Sequence, residues 1–333
     1  MPISTLDYPT LAGGPLATEH LAQARSHSYA LLGRLFLEGV TETLWPYVQR
    51  VPDLAAAYPQ PFSADDAAAA HYHLFAFHLF PYESFFRTET GLSGGPVAAQ
   101  VAQVYQQAGF DAAADAPDHI GQELAFLAYL TEAEANAWES QQPALAQQWR
   151  QVQHNFLSQH LLAWLIPFVI ALPPHTPFYG HLGRLTLELV ADHEADLTLS
   201  ALVAPPLPVF LDPPDLSDNP RPWEFVRFWV TPTHSGLFLS RDDISRVAHL
   251  AGVVHGFGKR DEMLKNALDA AATADSLPLL FQALSQFSHH WQTAYTQLAT
   301  DFPHLSRFIA PWRKQAQRAE KVVKEQLAAA SNQ

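Results

Sequence analysis

Apolar residues recur along most of this chain at intervals of three and four, the spacing that gathers them on one face of an α-helix. Leu124, Phe126, Leu127 and Leu130 form one such broad stripe. The pattern predicts helices near 18–38, 41–57, 63–80, 96–108, 117–137, 143–171 and 178–203. A second set is predicted near 241–255, 259–273, 276–299 and 304–329. Polar residues mark several starts: Ser63 with Asp66, and Ser240 with Asp243, have the spacing at which side chains satisfy the orphan N–H groups of a first turn. Gly39, Gly109 and Gly256 fall where helices should stop, as left-handed C-caps. Only Trp223 to Val230 alternates in the manner of a strand, and it is too isolated to build a sheet. The predicted fold class is all-α.

Proline divides the pattern. Eight of the 26 prolines lie between Pro205 and Pro232, where a fixed φ and a missing N–H stop helices from continuing. This predicts a helical bundle over 1–204, a Pro-rich linker or arm over 205–239 and a second, smaller helical region over 240–333.

Composition narrows the chemistry. Of 333 residues 48% are hydrophobic, enough for a sizeable core, and none is cysteine. That excludes disulfides, thiolate metal sites and a cysteine nucleophile. Residues 1–18 lack a basic segment leading into an apolar one. The longest apolar run, Leu161 to Leu172, is far short of the ~20 residues that span a bilayer. A cytoplasmic protein without membrane insertion is expected. The net charge of -14 argues against nucleic-acid binding, which needs clustered Lys and Arg. Basic residues gather in the last helix, at Arg313, Lys314, Arg318, Lys321 and Lys324, so the body preceding it is more acidic still.

Candidate catalytic patterns are sparse. His71, His73 and His78 share one helix, but His71 and His73 diverge by ~200° around it. His119 and Glu123 are four apart and could form a ligand pair, yet no Glu-x-x-His or His-Glu-x-x-His accompanies them. No Gly-x-Ser-x-Gly or phosphate-loop pattern occurs. Neither a metal nor another cofactor is expected.

Two segments are richer than a bundle requires. Leu79 to Arg87 packs four aromatics beside Glu83 and Arg87, which are spaced to pair on a helix. In Ala116 to Leu124, Asp115 is placed to cap a helix and Pro117 suits its first turn. Asp118 suits the positive end of its dipole, and His119 and Glu123 follow on the same surface.

Phe80-Pro81-Tyr82-Glu83-Ser84 followed by Pro117-Asp118-His119-Ile120-x-x-Glu123-Leu124 resembles the TorD/DmsD/NarJ family of molybdoenzyme maturation chaperones. Tyr29-x-Leu-Leu-x-x-Leu-Phe36, Phe156-x-x-x-His160-Leu-x-x-Trp164 and Pro177-Phe178-Tyr179-x-x-Leu182 resemble its other helices, in the family's order. The resemblance covers residues 20–200, and Thr231-Pro232-x-x-Ser235-Gly236-Leu237-Phe238 resembles only its longer members. It implies a cytoplasmic helical chaperone, not an enzyme. Such a chaperone binds the precursor of a molybdopterin oxidoreductase, commonly through its twin-arginine signal peptide, and often dimerises. It also implies Asp118, His119 and Glu123 as polar groups of the peptide site. Tyr82, Glu83 and Arg87 would form the adjoining wall, and His160, Trp164 and Tyr179 would act as supports.

A twin-arginine peptide couples a basic head to an apolar segment, so its receptor calls for carboxylates beside an apolar groove. Glu83, Asp118 and Glu123 next to Phe85, Phe86 and Phe126 meet that description in sequence. The alternatives are a metal-dependent helical enzyme, or a scaffold that binds a folded oxidoreductase subunit without reading a signal peptide.

Overall fold

The computed structural model describes residues 18–112, 116–172, 176–200, 202–214, 216 and 220–330; Asp115 and all of the stretch before residue 18 lie outside them. The regular structure of the described residues is all helical, with an isolated backbone bridge between Tyr82 and His119 and no strand among them. In chain order the first half holds α1 (Thr18–Glu38), α2 (Trp45–Val48), α3 (Pro52–Ala56), α4 (Ala64–His73), α5 (Glu83–Arg87), α6 (Pro96–Ala108), α7 (Ile120–Glu139), α8 (Pro143–Phe156), α9 (Leu162–Ala171) and α10 (Pro177–Leu199). After the proline-rich arm come α11 (Pro222–Val230), α12 (Pro232–Ser235), α13 (Arg241–Leu250), α14 (Arg260–Thr273), α15 (Leu277–Asp301) and α16 (Ser306–Ala330). Both expected caps form: Ser63 accepts the Asp66 N–H, and Ser240 and Asp243 close a reciprocal box.

Four local expectations change. Residues 41–57 make two short helices, because Val51, preceding Pro52, is held extended. Residues 223–230 form α11 rather than a strand, with Phe225, Val226, Phe228 and Trp229 buried and the Glu224 carboxylate accepting the Arg221 N–H at its start. Gly39 and Gly109 do adopt left-handed φ, but the helix expected to reach Gly256 ends at Leu250. The helix expected from 117 starts at Ile120, because Asp118 and His119 are taken up by the bridge.

Helices α1 and α7 make the most extensive helix pair. Glycine allows their closest approach: a Cβ on Gly121 would stand 2.4 Å from Leu37 Cγ and 2.7 Å from the Gly33 carbonyl. Helices α8 and α9 are joined without a break by a π-helical turn, Leu157–Leu161, which carries His160. Such turns widen a helix by one residue and re-aim the side chains on it.

One buried apolar cluster runs through both halves of the chain. Phe238 stacks on Phe86 with ring centroids 5.8 Å apart. Inside α9, Pro167 has no N–H to offer the carbonyl of Ala163, and Trp312 Nε1 of α16 donates to that carbonyl at 3.1 Å. Ion pairs bind Arg307 of α16 to Glu194 and Arg184 of α10 to Asp301.

Candidate functional site

Pro81 and Tyr82 leave the π-helical turn Leu74–His78 in extended conformation and meet the start of α7. The Glu83 N–H donates to the Asp118 carbonyl and the Ile120 N–H to the Pro81 carbonyl, both at 2.9 Å. These two bonds frame the Tyr82–His119 bridge, so segments nearly forty positions apart become one structure. The side chains add to it. Asp118 is buried, and its Oδ2 accepts the Ser84 N–H at 2.9 Å, capping α5 across space rather than its own helix. His119 caps α7: its Nδ1 accepts the Gly121 N–H at 3.0 Å. That bond leaves the ring proton on Nε2. Burial first, and then the charge of His71, hold the His119 pKa down at about 4, so the ring is neutral near pH 7 and offers an N–H donor. Its ring meets that of Tyr82 edge-on at 5.1 Å.

Behind the bridge lies an interior acid network. Glu83 is fully buried, ion-paired with Arg87 one turn on, and 3.1 Å from His160 Nδ1. Arg87 also donates to the Gln159 carbonyl at 3.0 Å, which ties α5 to the π-helical turn. Glu123, fully buried on α7, accepts the Trp164 Nε1 proton at 3.2–3.3 Å. Burial, reinforced by the neighbouring Glu83, raises its carboxyl well above the usual range and favours the neutral acid.

The expected site residues therefore separate by depth. Tyr82, His119 and Arg87 are half-buried and reach the surface. Asp118, Glu83, Glu123, His160 and Trp164 are interior. Phe86 and Phe126 are fully buried: Phe86 packs on Trp164, Phe168 and Phe238, and Phe126 on Tyr105, Phe110 and Phe156. Tyr179 is buried against Phe75 and Phe178. The chain's own Phe238 and Arg260 also cover Phe85, so the aromatic ladder read as an open apolar wall is filled from within the molecule. Sequence reasoning weighed His71 only with His73 and His78 and missed its approach to His119, which no local pattern signals; its Nε2 lies 2.9 Å from the Phe36 carbonyl. Among the described residues no group of three or more His, Asp or Glu is placed to hold a metal ion.

Comparison with known proteins places the bridged segments within a region of similarity. The family described as nitrate reductase delta subunit matches residues 46–169, a span containing both bridged segments and the His160–Trp164 turn. The chaperone protein TorD of Vibrio cholerae is 28% identical over 200 residues, covering 56% of this chain and 85% of that relative. By these matches and the ordered motifs, the chain is similar to the TorD/DmsD/NarJ maturation chaperones, and its residues beyond about 204 extend past the region of that similarity.

Proposed function

We propose that this chain works in the cytoplasm as a chaperone for a molybdopterin-containing oxidoreductase. It binds the precursor through its twin-arginine signal peptide, its apoprotein or both, and holds it for cofactor insertion before export or assembly. The observation that carries the reading is the bridge itself: the two most characteristic segments of the family pair there and leave Tyr82 and His119 at the surface over a rigid base. A neutral imidazole N–H and a phenol can hydrogen-bond an extended peptide without repelling its arginines. Because Glu83 and Glu123 are interior, their role is to hold that surface in place, and the acidic body supplies long-range attraction for a basic head.

Calorimetric titration with a synthetic twin-arginine signal peptide tests this. His119→Ala is expected to weaken binding about tenfold, the scale of one good hydrogen bond, while circular dichroism stays native. Equal affinity in the folded variant would remove His119 from the site. The family description favours a second reading, in which the partner is recognised as a subunit without its signal peptide. Deleting the signal peptide from the co-expressed partner separates the two, since only the first reading loses co-purification. A homodimer, as in relatives, belongs to the same proposal and is checked by the mass from light scattering.

A further inference from the structure

The extension builds a cavity of about 730 Å³ beside the bridged segments, with Phe80, Phe85 and residues 89–93 on one side and α11 and α14 on the other. Its volume lies within the range of ligand-binding clefts. Five cations line it, Arg227, Arg241, Lys259, Arg260 and Lys265, against the carboxylates of Glu89, Asp261 and Glu262, so its charge runs opposite to that of the molecule. Arg227, Arg241 and Arg260 all line it, and none of the three has an ion-pair partner among the described residues. Two nearby charges are already engaged: Glu262 accepts the Lys259 N–H at 3.0 Å, and Lys265 pairs with Asp269 at 2.6 Å.

Arg260 is the most unusual of the set. Its guanidinium lies over the adjoining rings of Phe85 and Phe238, 4.9 and 4.8 Å from their centroids. It donates to the carbonyls of Leu239 and Val230 at 3.0 and 3.1 Å. A guanidinium has five N–H donors, and these bonds use two. Burial pulls its pKa down to about 10; Asp261 opposes the shift and Arg241 adds to it. A half-buried cation with a like charge for a neighbour is stabilised by an incoming anion. The rim adds apolar anchors, with Leu92 67% and Trp223 48% exposed. Trp and Arg together are the residues that dominate the energetics of protein–protein contacts.

We propose that this cavity binds an acidic, aromatic-bearing segment of a protein partner, with its carboxylates on Arg227, Arg241 and Arg260 and its ring against Phe80 and Trp223. The site goes beyond the precursor reading, because it demands charge opposite to that of a twin-arginine head. One face of the molecule then takes a basic segment and another an acidic one.

The test uses the full chain and a fluorescein-labelled synthetic peptide in which Asp and Glu flank a central Phe, followed by anisotropy. The expected result is saturable binding, weakened at least about tenfold by the double variant Arg227→Ser/Arg241→Ser, as fits the loss of charge-assisted hydrogen bonds. Both side chains are outside the bonds that hold Arg260, so the variant is expected to fold. Affinity for the twin-arginine peptide, titrated separately, should not fall in the same variant, which keeps the two readings apart. The proposal is overturned if the acidic peptide fails to bind the unmodified chain, or binds the variant equally well. It is also overturned if inorganic phosphate at matched ionic strength displaces the peptide as effectively as unlabelled peptide does, which would mark a site for free anions.

Discussion

A carboxyl group removed from water must find compensating partners or keep its proton, and the two interior glutamates adopt different solutions. Glu83 holds Arg87 and approaches His160, whereas Glu123 has only the Trp164 N–H and a carboxylate neighbour that raises its pKa further. A carboxyl whose pKa is raised on folding stabilises the native state below its unfolded value near 4.5, and that contribution is lost as pH rises. Glu123→Gln should therefore be more stable than the unmodified protein at pH 8, by ~1 kcal/mol or more, and the gain should vanish near pH 4. Urea unfolding at several pH values reads this directly. His119 has the opposite sign. Its pKa is depressed, so its contribution is present above about 6.5 and is lost as pH falls towards about 4. His119→Asn keeps a capping acceptor and should show a shallower loss of stability over that window. Asp118→Ala removes the cap of α5 and should cost ~1–2 kcal/mol in thermal or urea unfolding. A fall in peptide affinity for that variant alone would thus report lost architecture as much as lost contact.

At the level of elements, regular helices were legible because their apolar spacing is local, and helices whose ends depend on partners were not. Helix α7 loses its expected first turn because Asp118 and the Ile120 N–H bond to residues 81–84 on either side of His119. The stretch 223–230 alternates on paper, yet folds as a helix under Arg221 and Glu224 with its apolar residues inward. Two contacts between elements make sharp predictions. Gly121→Ala places a methyl against Gly33 and Leu37 where α1 and α7 cross, an overpacking that should cost about 1–3 kcal/mol and lower the Tm. Trp312→Phe preserves much of the packing but leaves the Ala163 carbonyl unpaired, for a cost on the order of 1–3 kcal/mol.

For the whole molecule, the shared core predicts that the extension and the preceding bundle unfold together. Calorimetry is expected to show one transition, whereas two resolved transitions would support independent units divided near residue 204. Phe238→Ala should cost about 3–5 kcal/mol and lower that single transition, because Phe238 covers both Phe85 and Phe86. Charge acts at this scale too. Affinity for a basic signal peptide should fall as salt rises, since the acidic body attracts over a distance that ions screen.

The sequence by itself determined the all-helical class, most helix positions and the segments shared with the chaperone family, because helix periodicity and short motifs are properties of neighbouring residues. Tertiary structure alone decided which of the polar candidates reach water, since depth depends on what the distant chain places over a side chain. It turned Asp118 from a charge at the start of its own helix into the cap of another, and drew Glu83 and Glu123 inside. It closed the Phe85–Phe86 wall with Phe238 and Arg260, and left Arg227, Arg241 and Arg260 without an ion-pair partner among the described residues. Those outcomes rest on contacts between residues tens to hundreds of positions apart, which no local pattern along the chain encodes.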